Sequence, residues 1–596
     1  MNRKLKSKPL LYSLEPVDLS GHRLRATLRI AESDPKGQII SLPAWIPGSY
    51  LIRDFSRHIE HISAKSGYQE IAITKLDNHR WRIAPCQAPV TITAVIYAWD
   101  LSVRGAHVDE THCFFNGTSV FFQVHGQEDH PCRVSLLPPP GPARWNVFTS
   151  LPPDARANAK ISRNGFGTYL AENYDALIDH PVEMGTPDVI TFNACGAKHE
   201  MVFTGLIPNI DLKRIAQDVK KICEAQIRFF EPETAQVPFL DSANKYVFMT
   251  MVTGDAYGGL EHRASTALMA SRKDLPTLGH DKAPEGYQTF LGLVSHEYFH
   301  TWNVKRIKPA AFAPYRLAAE SHTRLLWIFE GFTSYYDDLF LLRSNVIDRP
   351  TYLKTLGKQI ASVMNMPGRH KQSVAESSFD AWTRYYKQDE NAANAIISYY
   401  TKGSLVALAL DLTIRQATAQ QHSLDDVMRL LWERYGRDFY QGNPIGLSEK
   451  GFPQLVREAT GVDVSDEIQR WAYGHEDLPL KQLLAGQGLN LEWKSGNTRP
   501  SLDIRTRKQG EHLVIAAALE GGAAHTAGLS AHDLLVAVDG VRVDSGSNSL
   551  DAILTRYQPD QTITVHVFRR DELRCFELTL SAPPLTDCIL QDRRKQ

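Results

Sequence analysis

The chain has 596 residues, 43% hydrophobic and 22% charged, and its 66 Lys and Arg against 67 Asp and Glu leave a net charge of −1. That length exceeds one hydrophobic core, since domains settle near ~150 residues, and the neutral balance offers no general attraction to nucleic acid or anionic membranes. The seven cysteines are odd in number and include no CxxC pair, which argues against a disulfide framework or a cysteine-built zinc ribbon.

Asn2 to Lys8 are basic, but the apolar stretch after them is short and is cut by Glu15. No run of ~20 apolar residues is available to span a bilayer, so we expect a soluble, cytoplasmic protein without nucleic-acid or membrane partners. From about residue 8 to 190, short alternating runs such as 22–30 and 90–97 are separated by Pro, Gly and Asp turns. This period-two pattern predicts an antiparallel β-sandwich. Near Asp211 the period changes, and residues 212–222 carry apolar side chains at helical spacing. A strand is expected over 245–252, and helices from there to about 480.

Short strands return from about 485 to 582. Between them, residues 521–529 and 533–541 give a glycine-marked loop, a small helical turn and a strand ending in an Asp-Gly turn. This segment resembles a PDZ domain, with 549–557 as its groove helix. The expected organisation is multidomain α+β: a β-sandwich over 1–190, a mostly helical block over 191–482 that holds the chemistry, and a PDZ domain and tail over 483–596.

The chemistry centres on His296-Glu297-Tyr298-Phe299-His300, which reads HExxH. Two histidines four apart on a helix project from one face and can bind one metal ion, with Glu297 beside them as a base. The apolar run 287–294 before them predicts a helix entering a core. A third ligand is needed, and Glu330, in the stretch 325–339, is the candidate, because its neighbours are apolar and aromatic and a carboxylate among them is costly to bury without a cation. Asp337, two turns further on, can orient a ligand imidazole or be an ordinary surface aspartate.

Tyr400, just before the apolar helix 405–414, is the candidate for stabilising an oxyanion, with Tyr399 turned into packing; periodicity alone leaves that choice open. Gly258 and Gly259 permit close backbone approach, and Glu261 beside them can hold a substrate's amino terminus. A tight turn with an exposed glutamate is the simpler account of those residues taken alone. Lys305, Arg306 and Lys308 can attract a peptide carboxylate, but a solvated cluster is the commoner explanation and they are left outside the site.

Together these segments resemble the PDZ-bearing glycyl aminopeptidases, a family of gluzincin metallopeptidases, over nearly the whole chain. The N-terminal likeness rests on Pro43-Ala-Trp-Ile-Pro-Gly-Ser-Tyr50 with Arg53-Asp-Phe55, and on Asp100-Leu-Ser-Val-Arg104 with Phe114-Phe-Asn-Gly-Thr118. The catalytic likeness rests on residues 296–309 and on Glu330-Gly-Phe-Thr-Ser-Tyr-Tyr336. The resemblance implies a thermolysin-like catalytic domain, one zinc ion held by His296, His300 and Glu330, and Glu297 as base.

Gly258-Gly259-Leu260-Glu261-His262 matches the Gly-x-Met-Glu-Asn motif of related aminopeptidases, which gives Glu261 the amine-anchor role. Leu260 and His262 depart from that motif. Tyr400-Thr-Lys-Gly403 matches the Tyr-x-Lys-Gly context of their transition-state tyrosine.

The implied function is a zinc aminopeptidase acting on peptides with a free amino terminus, with glycine or alanine preferred there, and with a peptide terminus held at the PDZ domain. Two alternatives stay open at this point: a gluzincin endopeptidase, or a PDZ-led peptide-binding protein with a structural metal site. Cobalt or manganese can also occupy such a ligand set. Oligomeric state is not legible in the sequence.

Overall fold

The computed structural model describes residues 8–87, 89–141, 144–155, 161–496 and 498–593; the basic segment 2–7 lies outside them. The chain divides into two compact units, one comprising Met1–Ser321, Tyr336–Ile347 and Met428–Glu449, the other His322–Tyr335, Asp348–Val427 and Lys450–Gln596.

The first unit begins with the alternating strands expected from the sequence. Leu10, Tyr12 and Leu14 of the strand Leu10–Asp18 are buried while their neighbours are not, as a sheet with one covered face requires. A seven-stranded sheet runs in the order Gly167–Ala171, Cys132–Leu136, Leu10–Asp18, Arg23–Ile30, Val90–Tyr97, Ile59–Ser66, Gln69–Ile71. Two four-stranded sheets contribute Ile40, Trp81, Cys113 and Met184 to the core that also holds Tyr12, Leu14, Leu28 and Ile92. One pairing departs from the antiparallel expectation, because Leu10–Asp18 runs parallel to Cys132–Leu136. A parallel neighbour needs a long return path, and the chain between these strands supplies it.

A second, five-stranded sheet of this unit runs in the order Asp188–Ala194, Ala197–Thr204, Lys245–Thr253, Ser265–Ser271, Gly258–Glu261. Only its middle strand is legible in the sequence. Ala197–Thr204 and Ser265–Ser271 are buried on both faces almost throughout and pair in parallel with the strand between them, so they lack the alternation that marks a half-exposed strand. Gly258–Glu261 closes the sheet as an antiparallel edge.

The helix Leu212–Phe230 extends well past the predicted 212–222. It buries Ile215, Val219, Ile222 and Ile227, and Asp211 caps it by accepting from the Arg214 backbone N–H at 3.1 Å. Tyr287–Phe299, the helix of the HExxH segment, packs against the strands Gly258–Glu261 and Ser265–Ser271.

The second unit combines helices, among them Arg349–Met364, Thr401–Ala417 and Phe452–Thr460, with a C-terminal β-domain. That β-domain pairs Ile504–Gln509, His512–Ala518, Leu534–Val538, Thr562–Arg569 and Glu572–Thr579, adds the short helices Ala523–Ala527 and Leu550–Leu554, and closes over Ile515, Val538, Ile553 and Val565. Among the described residues, no helix is long and apolar enough to cross a membrane.

Thr401–Ala417 begins earlier than the predicted 405, and two glycines explain its position. A Cβ on Gly331 would stand 2.7 Å from the Gly403 backbone, and one on Gly403 would stand 3.0 Å from Gly331 Cα and 3.1 Å from the Trp327 carbonyl oxygen. Neither contact is relieved by turning a side chain. Gly331→Ala is therefore expected to lower unfolding stability by about 2 kcal/mol through overpacking. Gly292→Ala is the control, since its Cβ would meet only Asp338 Oδ1 at 3.6 Å, and helix propensity favours alanine there by about 1 kcal/mol. Denaturant midpoints would compare the two; equal losses would show that the close backbone approach at Gly331 is not the constraint.

Candidate active site

The HExxH helix ends where its chemistry begins. His300 is the cap residue after Phe299, and its backbone N–H still bonds the His296 carbonyl at 3.2 Å. The two imidazoles stand a turn apart, with centroids at 4.6 Å and planes at 86°. His296 Nδ1 lies 2.9 Å from Asp337 Oδ2, and His300 Nδ1 lies 2.7 Å from the Asn303 carbonyl oxygen. Each ring thus commits Nδ1–H to an acceptor and keeps the lone pair of Nε2, the tautomer a metal-ligating histidine needs. Burial pushes the Asp337 carboxyl above its ordinary value, against the lowering effect of the His296 hydrogen bond.

His300, Glu261 and Glu297 can hold a metal ion, their ligand atoms lying within 4.8 Å of one another. Glu330, 2% exposed, follows the short helix Leu326–Phe329.

Glu297 and Glu261 are both buried, and glycines make room for them. A Cβ on Gly259 would overlap Glu297 Oε1, and one on Gly48 would overlap Glu261 Oε2. Gly48 also sits at φ +96°, in the left-handed region. The simpler account of Gly258 to Glu261, a tight turn with an exposed glutamate, is overturned: these residues form the edge strand, and Glu261 is 3% exposed. Its Oε1 has no hydrogen-bond partner among the described residues. Periodicity missed the burial because glycines at 258 and 259 carry no hydropathy signal.

The basic trio is also corrected, because Lys305, Arg306 and Lys308 are buried rather than solvated. Lys305 Nζ donates to Asp179 Oδ1 at 2.8 Å, and the Arg306 guanidinium forks onto Asp241 at 2.8 and 2.5 Å. Lys308 Nζ lies 4.2 Å from the Tyr315 ring centroid and 4.7 Å from that of Phe439. Burial brings its pKa down to about 7. His262 turns to Asp179 at 3.0 Å. Asp179 and the Asn303 carbonyl are supports that sequence reasoning did not single out: Asp179 lies in no motif, and a backbone carbonyl such as that of Asn303 carries no side-chain signal even within the segment 296–309.

In the second unit, Tyr400 is the cap residue of Thr401–Ala417, its hydroxyl 3.4 Å from that of Tyr386 and its ring stacked on Tyr399 at 4.6 Å. Tyr399 is fully buried, as its expected packing role requires. Burial raises the Tyr385 and Tyr399 hydroxyls above their ordinary pKa, and the nearby Glu330 carboxylate adds to the shift. Lys402 is buried as well and is brought down to about 8 by the same loss of water.

Comparison with known proteins matches residues 11–186 to the peptidase M61 N-terminal domain, 289–406 to M61 glycyl aminopeptidase and 500–580 to a PDZ domain. A crystal structure of an aminopeptidase N family protein from Idiomarina loihiensis is 40% identical, covers 98% of this chain and 98% of its own, and superposes with a TM-score of 0.92. The HtrA-type protease AlgW with a decapeptide shares 19% identity over 15% of this chain and 30% of its own, at a TM-score of 0.14. No curated protein matches. With its β-sheet N-terminal domain, helical middle and C-terminal PDZ domain, the chain belongs to the M61 glycyl aminopeptidase family of peptidases.

Proposed function

We propose that this peptidase is a zinc-dependent aminopeptidase that hydrolyses the first peptide bond of peptides with a free amino terminus, with glycine or alanine preferred there. The observation that carries this reading is Glu261, a buried carboxylate on an edge strand with one oxygen unpartnered, beside Glu297 and His300. A buried carboxylate left short of partners costs free energy unless a cation completes it, and a peptide ammonium is that cation.

The donor set supports zinc, because His296 and His300 each have one ring nitrogen fixed by an acceptor, and Glu330 adds the carboxylate of a two-histidine, one-glutamate set. A bound zinc ion would supply Lewis acidity toward water and the scissile carbonyl. The remaining roles belong to the chain. Glu297 accepts the proton of the attacking water and passes it to the departing amine. Gly258 and Gly259 present edge-strand backbone along which an extended peptide can lie, Glu261 holds its ammonium group, and Tyr400 donates to the developing oxyanion.

The family description, a glycyl aminopeptidase, supports the preference for glycine, and alanine is the next smallest side chain. The PDZ domain takes a peptide terminus by strand addition, and the catalytic block occupies residues 191–482 between the N-terminal domain and that module. The seven cysteines form no disulfide among the described residues, which supports a cytoplasmic, reducing compartment.

Three substitutions test the assignment. Glu297→Gln is expected to keep its metal and lose about 10³-fold in kcat; a variant with its metal and full hydrolysis would remove Glu297 from the role of base. Glu261→Ala is expected to lower kcat/KM on free-amine peptides by about a hundredfold while leaving any slow cleavage of N-acetylated peptides unchanged. Equal losses on both substrates would favour the endopeptidase reading. Gly48→Ala is expected to raise KM for glycyl peptides about tenfold, because its methyl must displace the Glu261 carboxylate, and to cost about 1 kcal/mol of stability through its backbone. An unchanged KM would show that the anchor does not depend on Gly48.

A further inference from the structure

A hairpin of the N-terminal domain brings together histidines that the hydrolytic site does not use. Ala106–Val108 and His112–Phe115 run antiparallel, and the second strand also pairs with Val182–Gly185. In that register His107 and Glu183 both stand opposite Phe114, and His112 lies two residues before Phe114. Strand alternation therefore puts His107, His112 and Glu183 on one face. The two imidazoles stack with centroids at 5.0 Å, and Trp99 stacks on His107 at 4.7 Å. His107 is 3% and His112 2% exposed.

Each ring has one nitrogen committed to a carboxylate and the other without a hydrogen-bond partner among the described residues. His107 Nε2 lies 3.2 Å from Asp109 Oδ2, and His112 Nδ1 lies 3.1 Å from Glu183 Oε1, while His107 Nδ1 and His112 Nε2 are buried and unpartnered. Glu183, by holding the His112 Nδ1–H, leaves the lone pair on Nε2, which is how proteins present imidazole to a metal; His107 Nε2 and Asp109 Oδ2, 3.2 Å apart, stand as two neighbouring ligands of one ion do. Asp109 is itself fixed, since its Oδ1 accepts from the Thr111 N–H at 2.7 Å, the Thr111 hydroxyl at 2.6 Å and the His112 N–H at 3.1 Å.

One ligand atom from each of His107, Asp109 and His112 lies within 4.8 Å of the others. A cavity of about 20 Å³ adjoins the two histidines, lined also by Glu183, Thr250 and Met269 among others, and the Thr250 hydroxyl has no hydrogen-bond partner among the described residues. That space holds one water molecule beside the ligand group.

We infer that His107, Asp109 and His112 form a second metal site for a divalent transition ion of the zinc class, with Glu183 orienting His112. Two imidazoles and one carboxylate are a zinc-type donor set, whereas calcium and magnesium call for oxygen ligands. The ion would close the hairpin Ala106–Phe115 on itself, and the cavity beside its histidines is walled by Met249 and Met269 of the five-stranded sheet. Its role is structural, outside the hydrolytic site.

The test is a metal count on the full chain. Protein stripped with a chelator is dialysed against micromolar zinc alone, and bound zinc is measured by elemental analysis. Wild type is expected to hold about two ions per chain, His300→Ala about one, His112→Ala about one, and the double variant about none. His112→Gln, which retains a polar side chain beside Glu183, replaces His112→Ala should the latter not fold. Zinc absent from His300→Ala, or a wild-type count in both His112 variants, would overturn the site and leave the cavity to a single water. A wild type holding one ion that His112→Ala removes and His300→Ala keeps would support this site while refuting zinc at the hydrolytic one.

Discussion

A charge taken out of water must be returned a partner, and the first unit of this chain is organised by how it meets that demand. Asp179 sits at the centre of the answer. It accepts from His262 at 3.0 Å, from the Arg263 guanidinium at 2.9 Å and from Lys305 at 2.8 Å, while Arg263 reaches on to Asp175 at 2.6 Å. These contacts join three segments that are distant in sequence: the end of the N-terminal domain, the residues after the edge strand, and the loop after the HExxH helix. Removing one member of such a buried network costs about 3 to 5 kcal/mol because its partners are stranded. The network therefore fixes where the edge strand lies relative to the two histidines.

Against that background, the buried carboxylate with an oxygen left over is informative. Asp179 and Asp241 are closed by cations of the chain itself, and Glu183 by His112. Glu261 is as deeply buried, yet its Oε1 has no partner among the described residues. A buried carboxylate oxygen left without a partner is stabilised by a cation that arrives from outside. The glycines at 48 and 259 fit the same economy of space: each stands where a Cβ would strike a functional carboxylate, so the site is narrow on the side of the N-terminal loop and on the side of the edge strand.

The parts legible in the sequence were those with a strong local period or a spaced chemical pattern. Alternation disclosed the N-terminal strands, and the HExxH spacing disclosed a helix whose histidines share a face. The doubly buried strands Ala197–Thr204 and Ser265–Ser271 gave no alternation to read, and the parallel pairing of Leu10–Asp18 with Cys132–Leu136 depends on a contact between residues far apart in the chain. Lys305, Arg306 and Lys308 misled for a related reason. A run of cations looks solvated until the carboxylates and aromatic rings that receive it are brought from elsewhere. The orienting contact from Asp337 could be framed from helix spacing, but the one from the Asn303 carbonyl could not, because it arises only where the helix ends and the chain turns back.

The two departures from the aminopeptidase motif, Leu260 and His262, illustrate how a strand separates its duties. Successive side chains of an edge strand point to opposite faces, so Gly259 and Glu261 share one face while Leu260 and His262 share the other. The contacts follow that division. Gly259 approaches Glu297 and Glu261 approaches Gly48, whereas Leu260 packs in a core with Val247, Met249 and Ala267, and His262 turns to Asp179. Leucine and methionine exchange at low cost in a core because their volumes are close, and a histidine bonded to a buried carboxylate supports the strand from behind. Both changes therefore fall on the face that packs, and the carboxylate that stands beside His300 and Glu297 keeps its position.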